Sequence, residues 1–279
     1  MWALPFGRKK RNYMTRLFIA ILISVCCFSA AHAQIVDVEQ SEKFNTDSVL
    51  RDFDNRPFFG IYKDNYFVGG TSIGTKPTSH NSDVKFQVSI SQRLTKSVLP
   101  FNTYAFLFYS QKCMWNVFEK SLPMRDFNFN PGLGFTKLLI SKNRLVGKLT
   151  LMIEHESNGR DKMYDRSWNK LSFAGNIYLT PNLMIHGKYW LTYIDSKQNK
   201  DILRYNGIYQ TGIQVLSPNQ RWVFSATFVK RKGWNLNGNT IVDIGWRIRK
   251  KDNQFLMLHY YNGYGEKDRK STRLNSSHE

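Results

Sequence analysis

The run Leu145-Val146-Gly147-Lys148-Leu149-Thr150-Leu151-Met152-Ile153-Glu154-His155-Glu156-Ser157-Asn158-Gly159-Arg160 carries both fold and chemistry. Leu145, Gly147, Leu149, Leu151 and Ile153 fall on one face of an extended chain, and Lys148, Thr150, Glu154 and Glu156 on the other. A period of two is the signature of a β-strand with unlike faces. His155 and Ser157, two apart, share one side. A little further on, Arg166-Ser167-Trp168-Asn169-Lys170 opens the next alternating run and offers an amide on the adjoining strand. Serine, histidine and a polar orienting group are the parts of a hydrolytic triad.

The same period recurs over residues 84–94, 169–179, 183–193, 203–215, 222–228 and 242–248. A soluble sandwich also shows two-faced alternation, so the connections discriminate. Short ones (141–143, 180–182, 217–219, 250–253) alternate strictly with longer ones (112–127, 158–165, 194–200, 231–237) from the third strand onward. That is the pattern of an all-β, antiparallel transmembrane barrel with short periplasmic turns and longer outer loops. Tyr189, Trp190, Tyr193, Trp222, Trp246, Tyr260 and Tyr261 lie near run ends, as interfacial girdles require. The barrel is expected over residues 57–266, after a polar periplasmic extension over 34–56. About eleven strands are visible, and bacterial barrels have an even number. Alternation stops after Glu266, so twelve strands are expected, with the last one missing or replaced by a non-native tail over 267–279.

Residues 1–33 read as a cleavable export signal: a basic start (Arg8 to Arg11, Arg16), an apolar core from Leu17 to Ala30, and Ala31-His32-Ala33 at the cut. Five of the 40 basic side chains and none of the 21 acidic ones fall there, so the balance of +19 becomes +14. No nucleic-acid motif accompanies this charge, and for an exported chain the implied polyanion is a phosphorylated lipid surface. Cys26 and Cys27 are lost with the signal; Cys113 is then alone, which excludes an intramolecular disulfide.

With both barrel ends of the chain periplasmic, His155 and Ser157 sit near the outer leaflet. They share the face of Leu149, Leu151 and Ile153, which looks into lipid, and Asn169 shares the lipid face of the next strand with Leu171 and Phe173. Polar groups facing lipid are costly unless they serve one another or a substrate. A site aimed at the bilayer points to a lipid substrate, with Ser157 attacking an ester carbonyl, His155 as general base and then acid, and Asn169 holding the imidazole.

His155-Glu156-Ser157-Asn158-Gly159-Arg160 followed by Arg166-Ser167-Trp168-Asn169 resembles the signature of outer-membrane phospholipase A, which reads His-Asp-Ser-Asn-Gly-Arg and then Arg-Ser-Trp-Asn. Pro123-x-Arg125, residues 131–135 and residues 262–266 are also similar to that family. The resemblance implies a twelve-stranded barrel in the outer membrane of a Gram-negative bacterium, calcium dependence, and activation as a homodimer. It places the nucleophile, base and orienting amide at Ser157, His155 and Asn169, and an oxyanion-binding backbone amide at Gly159. It implies calcium held by carbonyls at Arg160 and Asp165 and by a loop serine of a second subunit that best matches Ser121. Calcium accepts such oxygen donors. No second calcium position is carried over near Lys197 and Gln198. Glu156 departs from the family's aspartate but faces away from the nucleophile.

The expected activity is hydrolysis of acyl esters of membrane glycerophospholipids, at A1 and A2 positions and in lysophospholipids. The alternative is a passive barrel, porin-like or structural, that keeps a decayed form of the site. A soluble periplasmic hydrolase is the third reading.

Overall fold

The computed structural model describes residues 46–73, 76–160, 165–193, 199, 201–249 and 252–263, and the backbone of Ser29 and Ala30. The rest of the expected signal segment and the tail over 267–279 lie outside the described residues. Among the described residues no helix is long and apolar enough to cross a membrane.

Strands dominate: β1 (Ser29–Ala30), β2 (Phe59–Gly60), β3 (Tyr66–Thr71), β4 (Ser82–Arg93), β5 (Thr103–Trp115), β6 (Met124–Ser141), β7 (Arg144–Ser157), β8 (Ser167–Thr180), β9 (Leu183–Tyr193), β10 (Tyr209–Leu216), β11 (Trp222–Lys230), β12 (Gly238–Arg247) and β13 (Gln254–Asn262). From β4 to β13 each pairs antiparallel with its chain neighbour. β2 and β3 lie one after the other along the remaining edge of β4, Phe59 opposite Gln92 and Tyr66 opposite Gln87. Among the described residues the wall therefore holds twelve strand positions: β4 to β13 with the shared edge of β2 and β3 make the eleven that the alternation implied, and the two-residue β1 is the twelfth.

Backbone pairing does not close the ring among the described residues. β1 covers only Phe255 and Gln254 of the β13 edge. Side chains cross the gap instead: Lys85 Nζ lies 2.6 Å from His259 Nε2, and His259 Nδ1 lies 2.6 Å from Asp243 Oδ1.

The two faces of the wall are as unlike as the pattern predicts. Leu149, Leu151, Ile153, Leu171 and Phe173 are exposed outside, while Met152, Glu154 and Ser172 are buried inside. Trp222 and Trp246 sit opposite one another at the rim that carries the short turns, both exposed. Their neighbours in the proposed girdle divide differently. Trp190 points inward, buried, and donates from Nε1 to the Gly207 carbonyl at 3.1 Å. Tyr261 also lines the lumen, its ring 5.8 Å from Lys85 Nζ. Since Tyr189 and Leu191 face lipid, a period of two allows Trp190 no other direction.

Three further expectations change. The run 203–215 is not one strand: Leu203–Asn206 is a helical turn, and β10 begins at Tyr209. The β5–β6 loop is shorter than expected, because the ladder runs on until Trp115 faces Met124. The polar extension contains a helix, Thr46–Asn55. Its Leu50 is buried with Tyr104 and Leu138 at the end of the wall that carries the short turns, a burial that contributes about 1.5–3 kcal/mol. Arg93 donates to the carbonyls of Phe53, Asp54 and Arg56, and so caps the C-terminal end of the helix.

β6 and β7 meet in a two-residue turn, Lys142 (φ 50°) and Asn143 (φ 58°), whose positive φ values match the twist of a hairpin. Ser141 pairs with Arg144 and Ile140 with Leu145, but Leu139 pairs with Gly147. Val146 is thus an extra residue, a β-bulge. As a result Leu145 packs on the cluster of Leu50, Tyr104 and Leu138, and not on the lipid face with Leu149 and Ile153.

Candidate active site

Above the bulge, β7 and β8 pair without interruption from Gly147 opposite Ile177 to Ser157 opposite Ser167. This register sets His155 directly opposite Asn169, and His155 Nδ1 lies 2.8 Å from Asn169 Oδ1. A carbonyl oxygen only accepts, so Nδ1 carries a proton, and in the neutral ring the lone pair is then on Nε2. Asn169 is exposed on the lipid face, and His155 and Ser157 are half-buried there. Among the described residues, no side-chain hydrogen bond engages Ser157. The fold brings the imidazole and the Asn169 amide into contact and leaves the Ser157 hydroxyl one strand repeat away on the same face.

The other side of these strands is densely charged. Lys170 Nζ is 2.5 Å from Glu156 Oε2 and 3.8 Å from Glu154 Oε1. Lys188 Nζ of β9 is 2.5 Å from Glu154 Oε1, and Ser172 Oγ donates to the same oxygen. Asn128 Nδ2 donates to Glu156 Oε1 at 2.8 Å. Lys170 Nζ also sits 4.4 Å from the centre of the Trp168 ring. The glutamate in place of aspartate therefore belongs to the lumen, not to the site. Charged side chains of both signs line the remaining lumenal cavity of about 510 Å³.

The turn after Ser157 is fixed by Asn158, which is buried. Its N–H donates to the Arg166 carbonyl at 3.0 Å, and its Oδ1 accepts from the N–H of Arg166 at 2.9 Å and of Arg160 at 3.3 Å. Arg166 in turn donates to both oxygens of Asp126, each at 2.8 Å. Gly159 has φ +65°, and a Cβ there would come within 3.1 Å of the Phe129 ring. Position 159 thus needs glycine on two counts. Among the described residues, no acceptor takes its N–H.

Arg160 and Asp165 stand at the two ends of the stretch 161–164, which lies outside the described residues. Asp165 Oδ2 accepts from Asn199 Nδ2 at 3.2 Å. Among the described residues no group of three or more His, Cys, Asp or Glu side chains could hold a metal. The donors on offer are carbonyls and the one carboxylate of Asp165, an oxygen set suited to a hard cation such as calcium. Ser121 (φ 68°) lies in the β5–β6 loop at the same barrel end. That loop is held by Trp115 Nε1 donating to the Leu122 carbonyl at 2.9 Å and by His80 Nδ1 at 2.8 Å from Glu119 Oε1.

The sequence reading missed Asn158 and the Arg166–Asp126 pair. Asn158 could have been found from its place between a strand end and a glycine, where an Asx side chain commonly closes a turn. The Asp126 partnership depends on which strands are neighbours and has no local signal.

A family model described as Phospholipase A1 matches residues 52–267. The chain is 25% identical over 276 residues to Phospholipase A1 of Klebsiella pneumoniae, covering 90% of this chain and 92% of that one. It is 28% identical over 208 residues to Phospholipase A1 of Proteus vulgaris, covering 70% and 67%. Among solved structures, outer membrane phospholipase A from Escherichia coli superposes with a TM-score of 0.62 at 25% identity, covering 74% of this chain and 86% of that chain. The Salmonella typhi outer membrane phospholipase dimer with bound calcium superposes with a TM-score of 0.65 at 24% identity, covering 81% and 91%, a likeness of fold.

Proposed function

The chain belongs to the phospholipase A1 family, and on that premise we propose that it is a calcium-dependent phospholipase of the outer membrane acting through Ser157, His155 and Asn169. The observation that carries the proposal is the 2.8 Å contact of His155 Nδ1 with Asn169 Oδ1 on the lipid-facing surface, with Ser157 on the same face. A hydrogen-bonded imidazole facing hydrocarbon is expensive unless its free nitrogen has work to do.

In this reading an acyl chain enters sideways from the bilayer and its ester meets Ser157. His155 Nε2 takes the hydroxyl proton as Oγ attacks the carbonyl carbon. The unengaged Gly159 N–H donates to the developing oxyanion. When the intermediate collapses, His155 returns the proton to the departing lysophospholipid alkoxide, and water then releases the fatty acid by the same two proton transfers. Asn169 keeps the tautomer that leaves Nε2 free. Calcium held by the Arg160 and Asp165 carbonyls and by Ser121 of the partner subunit would add positive charge beside the oxyanion. A site completed only between two subunits would also restrain an enzyme surrounded by its substrate; the Salmonella typhi outer membrane phospholipase is a dimer with bound calcium. Hydrolysis at the A2 position and of lysophospholipids, removal of residues 1–33, and a barrel domain over 57–266 belong to the same proposal.

The test is fatty-acid release from detergent-dispersed phospholipid of mixed acyl chains. Ser157→Ala is expected to lower turnover by about 10⁴-fold or more, and a chelator is expected to stop the wild-type protein. Turnover that survives Ser157→Ala would remove Ser157 from the mechanism, and the chain released shows which ester is cut.

A further inference from the structure

The β6–β7 ladder has a gap beside His155. Phe129 pairs with Ser157 and Gly132 with Glu154, so the register sets Pro131 opposite His155 and Asn130 opposite Glu156, yet neither of these two positions forms a ladder pair. The His155 carbonyl is turned toward β6. In an unbroken antiparallel ladder it would receive the N–H of the residue opposite. Proline has no N–H. The carbonyl is nonetheless satisfied: Asn130 Nδ2 donates to it at 3.0 Å.

Asn130 is built to do this. It is buried, its second amide hydrogen goes to Glu154 Oε2 at 3.1 Å, and its Oδ1 accepts from Lys63 Nζ at 3.2 Å. A carboxylate and a carbonyl only accept, so the amide cannot be turned the other way round. The side chain thus ties the backbone of His155 to the charged lumen behind it.

We propose that Asn130 is a positioning residue for hydrolysis: its amide supplies the hydrogen bond that Pro131 withholds and so holds the His155 backbone where the imidazole meets Asn169 and faces Ser157. This rests on the reading of His155 as the general base. A ladder left open beside the base would let it shift where orientation matters most.

The test is a cycle of Asn130→Ala, Pro131→Ala and the double variant. Asn130→Ala is expected to lower kcat about tenfold at unchanged KM, the cost of leaving a buried carbonyl unpaired. Pro131→Ala restores a main-chain N–H, so the double variant is expected to return to within about threefold of Pro131→Ala alone. If Asn130 mattered only as a lumenal packing or Glu154 partner, an N–H at position 131 would relieve nothing, and a double variant as slow as Asn130→Ala would overturn the proposal. Asn130→Asp, equal in size and without the donor, repeats the cycle if the alanine variant does not insert as a barrel, judged by heat-modifiable migration. The low-field Nδ1–H resonance of His155 in protein labelled with ¹⁵N-histidine reads the same cycle without turnover. It is expected to broaden in Asn130→Ala and sharpen in the double variant; a resonance indifferent to Asn130→Ala would also overturn the proposal. A wild-type protein lacking Ser157-dependent release would instead sink the catalytic reading, while the resonance still decides the role of Asn130.

Discussion

β7 has two faces that obey different rules. Outward lie Ile153, His155 and Ser157, where a hydrogen bond joins the imidazole to Asn169. Inward lie Glu154 and Glu156, held by Lys170, Lys188, Ser172, Asn128 and Asn130. The polar side is overdetermined and the lipid side nearly bare. The proposed nucleophile and base need freedom to meet a substrate, whereas the strand beneath them must not move. Alternation lets four successive residues do both, with support and chemistry on opposite ends of the same backbone.

The largest effect expected from this contrast is on stability. Glu154→Ala removes the carboxylate that Lys188 and Lys170 share and strands buried ammonium groups, so unfolding free energy should fall by about 3–5 kcal/mol. Ile153→Ala, one residue away but facing lipid, should cost about 1 kcal/mol or less, because no packed core surrounds it. Urea unfolding in detergent compares the two, and equal losses would end the distinction between the faces. Asn169→Ala should act in the opposite sense, leaving the barrel's unfolding midpoint in place and lowering kcat by about 100-fold through loss of the tautomer. An unfolding midpoint that drops with the rate would show the outer trio to be part of the scaffold. The smallest effect is reserved for Asp165→Asn, which keeps the backbone carbonyl and alters only the side chain; the calcium concentration giving half-maximal activity should rise several-fold. A loss of all calcium response would mean that the carboxylate, not the carbonyl, is the main donor.

Much of this arrangement was legible along the chain because a strand's period is so short. Leu149, Leu151 and Ile153 name the lipid face within five residues, and His155 and Ser157 inherit it. The alternating short and long connections placed both residues at the outer end. Where the reading failed, information from another strand was needed or a second signal misled. Trp190 was assigned to a girdle by its chemical type, although its neighbours Tyr189 and Leu191 already turned it inward. Leu203 to Asn206 is too short for alternation to be told from a helical turn. The need for Asn130 appears only once Pro131 is known to lie opposite His155, and no local pattern states that pairing.

Val146 has a consequence far from where it sits. Between the turn and the bulge, paired residue numbers of β6 and β7 sum to an odd value, as in Ser141 with Arg144; beyond it they sum to an even one, as in Leu133 with Ile153. Partners share a face, so the one extra residue exchanges the parity of everything that follows. Carried on without it, the register of the turn would set Met152 beside Leu133 in the lipid and turn His155 and Ser157 into the lumen among the lysines. The direction in which His155 and Ser157 face is thus a phase, set by a single valine at the opposite rim of the membrane.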